Sequence, residues 1–209
     1  MSVFLFALVL VGSYAVIGAG IKLIDSVADT AALPSFRPLH IWVVTIGLAC
    51  LVNLLVLFDI YSAVLVLALV VGLIIARKVD NIYFITLAVF VFPISVFRIL
   101  EPAIFLLILP TLVLVIVTSA LDELLHSRSS KFQNKLFYYI FAHRPILKIT
   151  VLLLPFFGWL TIFHTAAFWA FDIAYDLVAY YFSAFHAPPA KVPSDNTLEL
   201  SLLSLFGKV

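Results

Sequence analysis

Seven apolar runs separated by short polar breaks organise this chain, at about Val3–Gly20, Ile41–Phe58, Ile60–Ala76, Ile82–Phe97, Ala103–Ala120, Ile149–Thr165 and Ala167–Phe182. Each is close to the roughly 17–25 apolar residues that a helix needs to cross a bilayer. The pattern predicts an all-α, polytopic transmembrane helical bundle of about seven spans over residues 1–185, with a C-terminal tail over 186–209. Only Asp59 stands between the second run and the third, which predicts a tight hairpin there. Leu121–Lys148 is the longest polar interruption. The tail opens Pro-rich and closes on the short apolar pattern LELSLLSLFGKV, which suits a segment lying on the membrane surface. The first run has no basic region ahead of it and continues into Lys22 without a convincing cleavage site, so it reads as a span rather than a secretory signal.

Composition strengthens this pattern. The chain is 65% hydrophobic and 11% charged, against about 45–50% apolar residues in soluble domains. A net charge of +1 argues against nucleic acid as a partner, because a phosphate-reading protein needs a dense basic face. Cys50 is the one cysteine and lies inside an apolar run, so an internal disulfide is excluded.

The cations orient the spans. With the N-terminus outside, one side receives Lys22, Arg37, Arg77, Lys78, Arg128, Lys131, Lys135, Arg144, Lys148, Lys191 and Lys208, and only Arg98 of the 12 Lys and Arg residues falls on the other. That bias predicts a multi-pass integral membrane protein with those loops on the cytoplasmic side.

The same side carries the candidate chemistry. Asp25 and Asp29 are four apart, so on a helical continuation of the first span both carboxylates share a face. Such a pair reads either as a solvated helix end or as ligands for a hard divalent cation such as Mg²⁺, which takes carboxylate oxygens together with substrate phosphates. Four spans later, at an equivalent depth, LDELLHSR places Asp122 beside Glu123, with His126 four positions after Asp122.

These segments resemble the UbiA-type intramembrane prenyltransferases. The family's first motif, NDxxDxxxD ahead of a loop containing RPL, is similar to IKLIDSVAD followed by Arg37-Pro38-Leu39; Asp25 and Asp29 take its last two Asp positions, and Ile21 and Lys22 replace the leading Asn and Asp. Arg77-Lys78 matches a basic pair before a similar span. Asp122 opens a second motif, DxxxD, whose final Asp is His126 here. The likeness covers roughly residues 10 to 150 by order and spacing.

The resemblance implies a UbiA-like bundle that transfers a polyprenyl group from a polyprenyl diphosphate to a lipid-soluble aromatic or hydroxyl acceptor. Asp25, Asp29, Asp122 and Glu123 would hold Mg²⁺, and the first three would be the catalytic set. Arg77, Lys78, Lys22 and Arg37 would clamp the diphosphate. Family members usually have nine spans. A chain short of the first would have its N-terminus outside and a thinner wall around the cavity, so a homo-oligomer or a partner subunit joins the membrane lipid among the expected partners.

Two other classes compete. The motif departures suit a catalytically degenerate relative that serves as a lipid-binding or scaffold subunit. Asp172 and Asp176, four apart in AFDIAYDLVAYYF, read either as an ion or proton relay in a transporter or as the wet stripe of an interfacial helix among Trp169, Tyr175, Tyr180 and Tyr181. His164 is placed to pair with either aspartate or to anchor a membrane boundary. Pro93, Pro110 and Pro155 fall within runs, where they should kink or locally open the helix.

Overall fold

A computed structural model describes residues 2–29, 38–79, 81–100, 102–128, 135–142 and 144–186, and 92% of these are helical, with no strands among them. Arg37 and the tail beyond His186 lie outside the described residues, as does the side chain of Asp29. The elements are α1 (Val3–Asp29), α2 (Pro38–Phe58), α3 (Ile60–Ile75), α4 (Ile82–Ile99), α5 (Pro102–Arg128), α6 (Lys135–Ala142), α7 (Pro145–Leu153), a 3₁₀ turn (Leu154–Phe157) and α8 (Ile162–His186). α1, α2, α4 and α5 are each long and apolar enough to cross a membrane.

Apolar side chains dominate every one of these helices, so polar residues decide where they stop. Asp59 is the only residue between α2 and α3; its backbone is extended and its carboxylate accepts the amide of Ser62, which closes the first turn of α3. Asn81 caps α4 in the same way through the amide of Phe84. α4 and α5 run through Pro93 and Pro110 without a break in the helix.

The sixth and seventh runs divide differently from the pattern's expectation. The expected span Ile149–Thr165 is cut within itself: α7 tightens into the 3₁₀ turn at Pro155, Gly158 takes φ +69°, and α8 begins at Ile162. Proline removes a helical donor, and glycine adopts the left-handed turn without a Cβ clash. Apolarity alone could not reveal that break, because the turn is built from LPFFGWL, as greasy as the helices on either side. α7 with its 3₁₀ extension is an apolar segment shorter than a full span.

The helices pack as a connected set, with α1 along α8, α3 against α4 and α5, α2 against α1 and α4, and α5 against α7. The core runs through Leu10, Ile17, Ile24, Val56, Leu65, Val115, Val151 and Phe168. Large apolar side chains such as Phe4, Leu54, Phe90, Leu106 and Phe156 point outward, as a lipid-facing surface requires. Several hydroxyls inside the helices return their proton to a carbonyl one turn back, as Thr45 does to Ile41, Ser95 to Val91 and Thr118 to Leu114.

α1 and α8 meet at Gly18, where an added Cβ would collide with the carbonyl oxygen of Phe171. The close approach of two backbones over a small residue is the packing mode that helices use where lipid supplies no hydrophobic drive. Gly18→Ala is therefore expected to lower the thermal unfolding midpoint, by an equivalent of about 1–3 kcal/mol for an overpacked contact. Gly12→Ala, whose Cβ meets nothing within 4 Å, is expected to be neutral or mildly stabilising in the same measurement.

Candidate functional site

Two layers of polar side chains cross the bundle. They are separated by about 12 Å, counting from Tyr14 to Lys22 on α1 or from His164 to Asp172 on α8 at about 1.5 Å per residue.

The first layer gathers charged residues near the C-terminal ends of α1 and α5, the start of α7 and the middle of α8. Asp122, nearly fully buried, accepts the backbone amides of Ile146 at 3.0 Å and Leu147 at 2.6 Å. These are first-turn amides of α7, which have no partner within their own helix. Arg144 occupies the N-cap position in a left-handed conformation, makes no side-chain cap, and is followed by Pro145 at the first helical position. The carboxylate that α7 needs therefore comes from α5. Arg144 and Lys148 also act on Asp122 through space.

Glu123, next in sequence and 5% exposed, meets Arg144 at 3.1 Å and Lys78 at 3.4 Å. Lys148 of α7 pairs with Asp172 of α8 at 2.7 Å, and both are about four-fifths buried. On α1, Lys22 holds Asp25 at 2.6 Å and lies over the ring of Tyr175, whose hydroxyl donates to Asp25 at 3.4 Å. Arg144 is within electrostatic reach of Tyr175 as well. Two sets of contacts therefore occupy this layer, Lys22 with Asp25 and Tyr175, and Glu123 with Arg144 and Lys78.

The residues expected to hold a metal or a diphosphate are distributed within this layer. α1 continues unbroken to Asp29, so Asp25 and Asp29 share a helix as the spacing required. Asp122 and Glu123 lie at the charged end, and Lys22 and Lys78 join the ion pairs there, while Arg77 is exposed beside Lys78 with φ 56°. Arg37 and the Asp29 carboxylate lie outside the described residues. Asp25, Asp122 and Glu123 are each engaged by amides or cations of the protein, and among the described residues no group of three or more His, Cys, Asp or Glu stands together to hold a metal. The described donors alone therefore do not make a divalent-cation site.

Beside this layer, α1 and α8 diverge to leave an apolar groove of about 350 Å³, lined by Ala19, Gly20, Leu23, Leu177, Val178, Tyr181 and Phe182. Small residues on α1 and aromatic residues on α8 shape it, one turn from Lys22.

The second layer was not expected. His164 pairs with neither Asp172 nor Asp176; Asp172 belongs to Lys148, and Asp176 is exposed. Instead the His164 ring, 2% exposed, places Nε2 2.7 Å from Oδ2 of Asp59 and Nδ1 2.6 Å from Oγ1 of Thr161. Tyr14 of α1 donates to the Ser62 hydroxyl at 3.1 Å, and the Ser62 amide donates to Asp59 at 2.6 Å. The rings of Tyr61 and Phe6 stand 5.1 and 6.5 Å from that of His164. The one available signal was Asp59 itself, a charge held between two apolar runs.

Compared with protein-family models, curated proteins and solved structures, the chain matches none.

The two layers make a direct stability prediction. Asp122→Ala removes the acceptor of two buried amides and is expected to cost about 1–3 kcal/mol, read as a lowered unfolding midpoint and faster hydrogen exchange at Ile146 and Leu147. Asp122→Asn keeps one carbonyl acceptor and should lose less.

Proposed function

We propose that this chain is a membrane-embedded bundle that holds a long-chain lipid bearing a phosphate headgroup, without transferring its chain. The acidic motifs support this most directly: Asp122 is committed to the α7 amides, Glu123 to Arg144 and Lys78, and Asp25 to Lys22, while an apolar groove stays open beside them. A lipid tail fits the groove of Leu23, Leu177 and Phe182. Its phosphate would be met by the two cations that share Glu123, with exposed Arg77 next to them, through charge-assisted bonds. The UbiA resemblance favours a polyprenyl diphosphate as that lipid.

Prenyl transfer is the second reading, favoured by Arg144, which pairs with Glu123 and is within electrostatic reach of Tyr175, the partner of Asp25. In that reading Mg²⁺, held by Asp25, Asp29, Asp122 and Glu123, would neutralise the leaving diphosphate as a Lewis acid. Lys22, Arg37, Arg77 and Lys78 would clamp it. The described carboxylates would first have to leave their protein partners.

One experiment separates the two. Protein in nanodiscs is mixed with a radiolabelled polyprenyl diphosphate, with Mg²⁺ or with a chelator, and both bound label and label transferred to a lipid-soluble phenol or alcohol are counted. Binding that survives the chelator, weakens about tenfold in Lys78→Ala or Arg144→Ala, a loss of about 1.4 kcal/mol, and proceeds without transfer supports the lipid-holding reading. Transfer that requires Mg²⁺ and disappears in Asp25→Asn and Asp122→Asn overturns it in favour of the enzyme. No saturable binding in either condition sinks both.

A further inference from the structure

The second polar layer shares no residue with the apolar groove. Its hydroxyl, ring and carboxylate stand in the order that activates a nucleophile: Thr161 Oγ1 at 2.6 Å from His164 Nδ1, and His164 Nε2 at 2.7 Å from Asp59 Oδ2. A base within hydrogen-bond reach of a hydroxyl, itself oriented by a third group, is the signature of nucleophilic catalysis on any fold. An ionised carboxylate can only accept, so the Nε2 hydrogen is turned to Asp59. In the neutral ring that leaves the Nδ1 lone pair facing the Thr161 hydroxyl.

Two observations set this hydroxyl apart from a helix cap or a packed threonine. At the start of α8 the amide of His164 bonds the backbone oxygen of Thr161, not its side chain, so the hydroxyl is free of the usual N-cap duty. The hydroxyls of Thr45, Ser95, Thr111, Thr118 and Thr165 donate to backbone carbonyls; that of Thr161 is aimed at a ring nitrogen. Thr161 also lies in the one irregular stretch between α7 and α8, half-buried, beside exposed Phe156, Phe157 and Trp159.

We propose that Thr161, His164 and Asp59 form an acyl-transfer site for lipid-soluble esters, with Thr161 as nucleophile, His164 as general base and Asp59 as the positioning residue. Thr161 Oγ1 attacks the ester carbonyl carbon while its proton passes to Nδ1 of His164. The carbonyl–alkoxy bond breaks, and the departing alkoxide takes that proton and leaves as the alcohol. The acyl group, now on Thr161, passes to water or to a second alcohol by the same steps in reverse, which regenerates the hydroxyl. The amides of Ile162 and Phe163 follow Thr161 directly at the start of α8, where a helix supplies no carbonyl one turn back, which suits them to receive the transient oxyanion. The aromatic rim and the depth of the layer select a substrate that arrives from the membrane.

A long-chain alkyl fluorophosphonate tests this on the full chain in nanodiscs. Attack by Thr161 forms an Oγ–P bond and expels fluoride, leaving a covalent adduct that peptide mass spectrometry locates. The expected result is one adduct, on Thr161, retained in Thr161→Ser, absent in Thr161→Val, and formed at least tenfold more slowly in His164→Gln. Asp59→Asn is expected to slow labelling and Asp59→Glu to restore part of it, a rescue that a purely structural role would not produce. Release of alcohol from a long-chain aryl ester should follow the same order. Thr161→Val is nearly isosteric and keeps the fold testable if the dyad variants do not. No adduct on well-folded wild type, or an adduct that persists in Thr161→Val, overturns the proposal.

Discussion

A carboxylate inside an apolar bundle has to be answered where it stands. Bulk water would ordinarily do this, and in a lipid-facing structure water is scarce, so amides, cations and ring nitrogens take its place. Asp122 with the α7 amides, Glu123 between Arg144 and Lys78, Asp172 with Lys148, and Asp59 with His164 each satisfy that condition by joining two elements that are distant in sequence. These contacts set the order of the helices. Apolar packing then fills the space between the two polar layers, with Gly18 allowing α1 its close approach to α8.

Much of the architecture was legible from the pattern of apolar runs. The helices over the first five runs, the turn on Asp59 and the helical continuation carrying Asp25 and Asp29 all follow from hydrophobic length and from the placing of single polar residues. The division between α7 and α8 did not follow, because its signal is conformational: one proline and one glycine with positive φ inside a stretch without polarity. α6 was not anticipated either, since KLFYYIFA is too short to stand out within the polar interruption.

The sites were legible only as residue types. Sequence singled out Asp25, Asp122 and Glu123, and each does lie in a charged layer, but no spacing rule could say that Asp122 faces the start of α7 or that Glu123 would receive two cations. Those partners depend on Arg144 taking a left-handed turn and presenting Ile146 and Leu147 to α5. The pairing of His164 with Asp59 crosses 105 positions. Helical periodicity relates residues three and four apart, which is why Asp172 and Asp176 drew attention and Asp59 did not.

The capping of α7 by a residue of α5 bears on how the chain is assembled. α5 is made first and can settle in the bilayer by its own length and hydropathy. α7 is shorter than a full span and starts with amides that only Asp122 satisfies. Its seat in the bundle is therefore borrowed: a helix too short to span and uncapped by its own residues keeps its first amides satisfied only where α5 presents Asp122.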